Sequence, residues 1–448
     1  MTGIAVPQAA RPTFAETVKT FARIGVLSFG GPAGQIALMH RVLVEEKRWL
    51  DEARFLHALN YCMLLPGPEA MQLATYAGWL LHGVRGGLVA GLLFVLPGAV
   101  VLIALSTLYV FLGDVPLVAG LLFGLKAAVL AIVLEALVKV ARRAIVGPLM
   151  AAIAAMAFVA IAFLEIPFPL IILGAAVAGA LVHLVGGRAR GSTQPDMTSA
   201  ARDALPEWAR PSLARFAATT TIWLALWLVP LALLYAVLGQ GNVFAQEASF
   251  FSRMAAVTFG GAYAVLAYVA QQAVEVHGWL RPEEMLTGLG LAETTPGPLI
   301  LVLVFVGFMG GARLSGLDML AGGVLGAVVT LWFTFVPCFL WIFAGAPFME
   351  TVRSVRWLAS ALAAVTAAVV GVIANLALWF AIHVLFAEVG EAAVGLFTYP
   401  VPDLASIDIA ALVIAAASAI ALLRFHANLF VVLASAAIVG ATVGAGFA

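Results

Sequence analysis

Charged residues are scarce in this chain: they make up 10% of 448 residues, whereas hydrophobic residues make up 64%. A soluble globular domain carries about 25% charged residues, so this scarcity excludes an ordinary water-facing surface. The 23 basic and 23 acidic side chains cancel, which excludes the basic surface that nucleic acid requires. We therefore predict an all-α, polytopic helical membrane protein surrounded by the lipid bilayer, with no nucleic-acid partner.

Patterns for metals, cofactors and catalysis are also missing. Cys62 and Cys338 lie in apolar runs, and the seven histidines show no ligand spacing, so we predict neither a disulfide framework nor a metal site. There is no G-x-x-x-x-G-K-[ST] phosphate loop and no cluster of acid, base and nucleophile, so we predict no cofactor and no enzyme. The polar start lacks the features of a signal peptide, and we expect no removal.

Apolar runs fill most of the chain, and four of them are interrupted by helix-breaking residues. The interrupted segments cover residues 13–47, 53–82, 246–276 and 284–310. The other runs are each near the roughly 20 residues that a hydrocarbon core demands, and they lie at about 86–112, 115–140, 147–164, 167–186, 217–239, 320–346, 355–387, 407–424 and 428–447. We predict uninterrupted spans there.

A single polar stretch of some length, residues 187–215, divides the chain. Its glycines, serines and prolines predict a linker. We assign residues 1–186 to an N-terminal membrane repeat, 216–245 to a connecting span and 246–448 to a C-terminal membrane repeat. The linker carries five arginines, which predict a cytoplasmic location: Arg188, Arg190, Arg202, Arg210 and Arg215.

The two halves are an internal repeat. From Phe21 to Pro68, a shift of 230 residues brings the first half onto the second without a gap, and a shift of 240 later brings Pro97 onto Pro337. Counting basic loops places the second copy upside down relative to the first, if each interrupted pair crosses an even number of times or re-enters. Inverted repeats with broken helices are typical of alternating-access transporters.

The breaks themselves are the candidate site. They are Phe29-Gly30-Gly31-Pro32 and Pro66-Gly67-Pro68-Glu69 in the first half, and Gly260-Gly261 and Pro296-Gly297-Pro298 in the second. A backbone break at membrane depth is tolerated only where it is buried in protein or lines a water-filled cavity. A helix that restarts there presents free N–H groups and the positive end of its dipole, which suits an oxyanion. Ser28 and Thr258, before the paired glycines, are expected to add hydroxyl donors.

Three cations in apolar runs are candidates for attracting that anion. Arg23 and Arg253 occupy equivalent positions upstream of the paired glycines, whereas Lys126 has the neutral Thr366 as its repeat partner. Alternatives stay open for all of them. The arginines could reach the membrane interface or pair with Glu45 or Glu275, Lys126 could pair with Glu135, and the paired glycines could serve helix packing or a kink.

Polar groups next to the Pro-Gly-Pro motifs complete the prediction. Glu69 and Glu293 are carboxylates at membrane depth, which is the chemistry that a proton-coupled carrier uses, although a hydrogen-bonded structural acid is the favoured interpretation of each. Gln72 and Asn60 are neutral neighbours able to hydrogen-bond a ligand or a carbonyl group.

Several of these motifs together resemble the chromate ion transporter family in its long form with two homologous domains. They are FARIGVLSFGGP from Phe21 to Pro32, Trp49-Leu50-Asp51, LLPGPEAMQLATYAGW from Leu64 to Trp79, and TTPGPL from Thr294 to Leu299, which includes Thr295. The resemblance implies a bacterial inner-membrane carrier that expels chromate and confers chromate resistance. The second copy has Ala262 in place of Pro32 and Leu299 in place of Glu69. We therefore expect the first half to carry more of the substrate recognition.

The sequence and the resemblance together predict a secondary transporter that exports chromate by alternating access at the repeat interface. The proton gradient or the membrane potential would supply the energy, so chromate and protons are the predicted partners. Alternatives are a carrier of sulfate or another oxyanion, and a passive anion channel. A homodimer is also left open.

Overall fold

The computed structural model describes residues 12–186, 207–259, 262–348, 356–394 and 397–446. Residues 187–206, which are most of the predicted linker, and the glycines Gly260 and Gly261 lie outside the described residues. The described part is built almost entirely of helices, and this confirms the predicted helical membrane fold.

The first half begins at a capped helix. Thr13 accepts a hydrogen bond from the N–H of Glu16 at 3.2 Å, and Glu16 accepts one from the N–H of Thr13 at 2.9 Å, which is the reciprocal capping box. The elements of this half are α1 (Phe14–Leu27), α2 (Gly31–His40), a π-helical turn (Arg41–Glu46), α3 (Glu52–Cys62), α4 (Glu69–Leu112), α5 (Pro116–Ala144), α6 (Pro148–Ala162) and α7 (Phe168–Gly186).

The second half follows a connecting helix and repeats this order. The elements are α8 (Leu213–Leu238), α9 (Val243–Val257), α10 (Ala262–Gln271), a π-helical turn (Gln272–Val276), α11 (Pro282–Glu293), a 3₁₀ turn (Leu299–Leu301), α12 (Val302–Leu314), α13 (Met319–Gly345), α14 (Arg356–Leu385), β1 (Val389–Val394), β2 (Phe397–Pro402), α15 (Ile409–Leu423) and α16 (Leu429–Gly446). Shorter 3₁₀ turns lie at Glu207–Ala209, Ala346–Phe348 and Leu404–Ser406.

Within the described ranges, five helices are long and apolar enough to cross a membrane: α4, α5, α8, α13 and α14. The 44 residues of α4 comprise two helical pieces, 69–81 and 84–112, which are separated by a kink at His82 and Gly83, where the backbone is not helical. The kink is possible because Gly83 adopts a φ of 63°, which a glycine tolerates without steric cost. Gly78 packs against Gly86 and Ala90, so the chain reverses at this kink, and the predicted boundary between the segments 53–82 and 86–112 agrees with the structure.

The core lies where the two halves meet. Helix α5 packs against α15 and α16, and its counterpart α14 packs against α6 and α7, so each half supplies the neighbours of the other. The repeat motif Ala127-Ala128-Val129 in α5 and Ala367-Ala368-Val369 in α14 is buried in both copies. Helices α4 and α13 also pack against each other across the halves. Buried residues of both repeats therefore form one continuous core.

A small antiparallel hairpin interrupts the helical architecture between α14 and α15. Val389 lies opposite Pro402, and Val394 lies opposite Phe397. The predicted all-α fold, with spans at 355–387 and 407–424, included no strand between them. The hairpin is a local addition to the all-α class rather than a change of fold.

Candidate functional site

The broken segments of the two halves meet and exchange backbone hydrogen bonds. The N–H of Gly67 donates to the C=O of Thr258 at 2.8 Å, and the N–H of Gly297 donates to the C=O of Ser28 at 2.7 Å. The two bonds are equivalent under the repeat, because both donors and both acceptors are 230 residues apart. Each Pro-Gly-Pro loop therefore satisfies the backbone that precedes the paired glycines of the other half.

Each Pro-Gly-Pro loop also packs on a proline-containing helix of the opposite half. A Cβ atom on Gly67 would lie 2.8 Å from the Sγ of Cys338 in α13. Gly98 in α4 is the repeat counterpart of Cys338, and the C=O of Pro296 lies against it. Gly67 and Gly297 have φ values of 117° and 95°. Both positions require glycine, because a side chain would clash and the backbone conformation would be strained.

The first paired-glycine break is open. Gly30 and Gly31 have φ values of 83° and 70°, and a Cβ atom at either would meet no atom within 4 Å. Helix α2 begins at Gly31 and α4 begins at Glu69, and within the described chain neither N-terminus has a side-chain cap. Both N-termini therefore keep N–H groups available, which is the arrangement that binds oxyanions.

Two buried glutamines hold the breaks together. The Nε2 of Gln35 donates to the C=O of Gly297 at 2.6 Å, and the Nε2 of Gln72 donates to the C=O of Pro66 at 2.7 Å. The carbonyl partners determine which atom of each side-chain amide is the nitrogen. Their Oε1 atoms have no hydrogen-bond partner among the described residues. Gln72 was predicted, but Gln35 was missed. Its signal was available, because Gln35 is the single polar side chain between Gly31 and Leu38.

The predicted hydroxyl donors point back to their own helices. The Oγ of Ser28 donates to the C=O of Ile24 at 2.7 Å, and the Oγ1 of Thr258 donates to the C=O of Met254 at 2.6 Å. Thr295 does the same toward Ala292 at 2.8 Å. These side chains are buried beside the breaks, but in this conformation their hydrogen atoms are not directed at a ligand.

The structure does not bring the predicted arginines to the breaks. Arg23 has a side chain that is 58% exposed, and its Nη1 lies 3.4 Å from the Oε2 of Glu46. Arg253 is exposed and donates to the C=O of Ser249 at 3.3 Å. Their placement matches the alternative in which the arginines pair locally near the surface.

Lys126 also lies apart from the breaks. It lines a groove of ≈ 730 Å³ between α5, α15 and α16, together with Asp408 and Gly440. The alternative of a pair with Glu135 does not occur here, because Glu135 pairs with Lys139 at 2.6 Å. Lys126 is therefore a half-buried cation near the helical core rather than a residue of the breaks.

The remaining predicted residues divide between the breaks and their surroundings. Glu69 is the first residue of α4, directly after Pro68, and it is half-buried. Asn60 is half-buried in the last turn of α3. Glu293 is buried at the end of α11, where its Oε1 accepts a hydrogen bond from the hydroxyl of Tyr263 at 2.6 Å. Glu69 is thus the carboxylate that stands at a break.

Comparison with known proteins gives a consistent result. The family model described as "Chromate transporter" matches residues 15–180 and 245–441, which correspond to the two repeats. A "Chromate transport protein" of Pseudomonas aeruginosa is 30% identical over 362 residues, covering 79% of this chain and 77% of the relative. A protein of the same description from Cupriavidus metallidurans is 26% identical over 364 residues, covering 81% of each chain.

A "Probable chromate transport protein" of Synechococcus elongatus is 29% identical over 357 residues, covering 79% of this chain and 81% of the relative. No solved structure matches the chain. The similarity to these relatives therefore extends over both repeats and not over one motif alone.

Proposed function

The chain belongs to the chromate transporter family, and on that premise we propose that it exports chromate from the cytoplasm by alternating access. Family membership makes it a multi-pass membrane transporter and not an enzyme. The similar chromate transport proteins named above come from bacteria, which supports a location in a bacterial inner membrane. Export would confer chromate resistance.

The observation that carries this proposal is the reciprocal pair of hydrogen bonds from Gly67 to Thr258 and from Gly297 to Ser28. Because both halves contribute a break to one place, a ligand there contacts both repeats at once. Chromate is a tetrahedral dianion, and the uncapped N-termini of α2 and α4 offer the backbone N–H donors that such an anion needs. The affinity for substrate would then depend on the relative position of the two halves.

We assign the binding role to the breaks and their immediate neighbours. Gln35 joins the residues that the sequence predicted: Ser28, Phe29, Gly30, Gly31, Pro32, Asn60, Pro66, Gly67, Pro68, Glu69, Gln72, Thr258, Gly260, Gly261, Glu293, Thr295, Pro296, Gly297 and Pro298. Arg23, Arg253 and Lys126 act at longer range, by raising the local concentration of the anion through their charge. This division follows their exposure and pairing described above.

The proposed transport cycle uses the symmetry of the breaks. If the halves have opposite orientations in the membrane, exchanging their conformations moves the opening from one face to the other while the site stays near the midplane. The inside-negative membrane potential favours outward movement of a dianion. Glu69 would tune binding, because its ionised carboxylate at the N-terminus of α4 competes with the anion and its neutral form does not.

Uptake of radiolabelled chromate into inverted membrane vesicles tests the proposal, since inversion turns export into accumulation. We expect accumulation that depends on an imposed proton gradient or membrane potential and exceeds that of vesicles lacking the protein. Excess unlabelled sulfate measures specificity, because sulfate has the same shape and charge. Absence of accumulation would reject chromate export, and flux without uphill accumulation would favour the channel.

A further inference from the structure

An acidic side chain far from the breaks is buried without a partner. Glu247 lies in α9 with 0% exposure, and neither of its carboxylate oxygens has a hydrogen-bond partner among the described residues. Ionisable residues inside a membrane protein are energetically costly and usually functional. The sequence analysis missed Glu247, although it is the single acidic residue between Val243 and Val257.

Two glycines make room for this carboxyl group. A Cβ atom on Gly310 in α12 would lie 2.7 Å from the Oε1 of Glu247, and one on Gly326 in α13 would lie 3.2 Å from its Oε2. The ring of Trp279 borders the same notch, with its Cγ 3.1 Å from the Cβ position of Gly310. The Nε1 of Trp279 has no partner in the described part of the chain. The notch therefore encloses an acid and an uncommitted N–H donor.

A stripe of polar residues on α13 leads from this notch to the first Pro-Gly-Pro loop. Gly326, Thr330, Thr334 and Cys338 follow one another at intervals of four residues, so each adjoins the next along a row that winds around the helix. Gly326 adjoins Glu247, and Cys338 adjoins Gly67. Twelve residues of helix span about 18 Å, which is the approximate length of the stripe.

The two threonines in the stripe differ from three other hydroxyl residues in the described helices. Ser106, Thr107 and Thr366 each donate to the carbonyl group four residues earlier, at 2.7–2.8 Å. Thr330 and Thr334 are 1% and 2% exposed, and their hydroxyls have no partner among the described residues. Hydroxyls that are not committed to the helix can both accept and donate a proton.

The surroundings of Glu247 favour a proton over a metal ion. The described residues contain no cluster of three or more His, Cys, Asp or Glu side chains. A proton needs a single oxygen atom, whereas a cation needs several ligands at fixed distances. The titratable groups on the elements packed around the notch are Arg215 and Tyr235 on α8, Arg253 on α9, His277 stacked on Trp279, Asp318 capping α13, Cys338 within α13, and Arg313 on α12, which pairs with Glu284.

We propose that Glu247 is the proton-binding site of the transport cycle and that Thr330 and Thr334 connect it to the substrate site at the first Pro-Gly-Pro loop. The inference rests on the proposed function, since it assigns the coupling ion and its binding site. One O–H bond forms when the carboxylate takes up a proton and breaks when the proton is released. No other bond changes.

The test uses the full-length protein in liposomes with chromate as the probe. Two quantities are measured: exchange of labelled for unlabelled chromate without a gradient, and accumulation driven by a pH gradient. We expect Glu247→Gln to keep exchange close to the wild-type rate and to lose gradient-driven accumulation by about tenfold or more, within the range of ordinary coupling energies. Glu388→Gln, in an exposed loop, is the matched control and should keep both activities.

The outcomes separate this inference from the proposed function. If wild-type protein shows neither activity, the proposed function fails. If wild-type protein is active and Glu247→Gln matches it in both assays, the inference is wrong while the function stands. Folded Glu247→Gln protein that loses exchange as well would also overturn it, because Glu247 would then serve the substrate path or the fold.

The threonine stripe has its own test. Thr330→Val with Thr334→Val keeps the shape of both side chains and removes both hydroxyls, so we expect slower gradient-driven accumulation with unchanged exchange. Thr107→Val is the control, because its hydroxyl is committed to the C=O of Ile103. Equal rates of gradient-driven accumulation in the double variant and the control would show that the two threonines do not conduct the proton.

Discussion

The two halves of the chain share one order of elements but place their polar side chains differently. At the breaks, the first half has Gln35, Glu69 and Gln72, and the equivalent residues of the second half are Val265, Leu299 and Val302. Away from the breaks, the second half buries Glu247, and the equivalent Thr17 lies 3.0 Å from the Nε2 of His82. Duplication supplied a symmetric backbone, and substitution made the halves specialise.

The stripe on α13 shows the same divergence. Its equivalents in α4 are Gly86, Ala90, Phe94 and Gly98, so the hydroxyl groups of Thr330 and Thr334 have apolar counterparts. Under the two proposals made above, anion recognition would belong mainly to the first half and proton handling mainly to the second. The breaks themselves are shared by both.

The largest effect should come from the glycines that both halves need. We expect Gly67→Ala and Gly297→Ala each to reduce chromate transport by more than about tenfold, because a disfavoured backbone conformation costs about 1–3 kcal/mol and a clash adds to it. Vesicle uptake measures the loss, and membrane insertion is checked by immunoblot. Gly174→Ala is the control, since no atom lies within 4 Å of its Cβ position. Normal transport by either variant would contradict the claim that both Pro-Gly-Pro loops require glycine for transport.

The next effect concerns Gln35 and Val265, which occupy equivalent positions in the two halves but differ in polarity. Gln35→Ala removes the donor to the C=O of Gly297 and leaves that buried acceptor unsatisfied, a loss of about 1–3 kcal/mol. We expect chromate affinity to fall by about tenfold for a loss near 1.4 kcal/mol. Val265→Ala, at the equivalent position, should lower stability and leave affinity unchanged. Equal losses of affinity in the two variants would contradict the specialisation of the first half.

A third prediction concerns the pH dependence of binding. Glu69→Gln removes a negative charge at the N-terminus of α4, so we expect tighter chromate binding and a flatter dependence of affinity on pH. In the wild-type protein, affinity should rise as pH falls, because protonation of Glu69 removes the same charge. Equilibrium binding of labelled chromate at several pH values gives the measurement. An unchanged pH profile in Glu69→Gln would exclude this carboxylate from the site.

The smallest effect should come from the exposed arginines. Arg23→Ala removes a surface ion pair with Glu46, and such pairs contribute about 0–1 kcal/mol. We expect at most about a twofold rise in the KM for chromate, and a similar change for Arg253→Ala, since both act through long-range attraction. Added salt should reduce even this difference. A tenfold or larger effect would place either arginine in contact with the substrate.

The sequence predicted the parts of the fold that repetition and hydrophobic length encode. The shift of 230 residues found the equivalence of the breaks, and apolar runs located the helices to within a few residues. The predicted break between residues 82 and 86 agrees with the chain reversal at His82 and Gly83, where a glycine tolerates the positive φ. The hairpin at Val389–Pro402 was missed, since short strands outside the membrane leave little periodicity.

The candidate site was predicted in its backbone and less well in its side chains. Glycine and proline motifs identified the breaks, because few residues tolerate such conformations. The direction of a side chain depends on tertiary packing, which sequence spacing does not contain. Thus Ser28 and Thr258 lie where expected but donate to their own helices, and Arg23 turns to Glu46. Gln35 and Glu247 are isolated polar residues in the sequence, but only the packing of neighbouring helices shows what they contact.

The most direct test of the account is the number of chromate ions bound by the purified protein. Equilibrium dialysis with labelled chromate should give one site per chain for the wild-type protein, and that site should be lost in both Gly67→Ala and Gly297→Ala. This result is expected because the two halves build one site together. Two sites per chain, or a loss of half of the bound chromate in each variant, would show that the halves bind independently and would contradict the account.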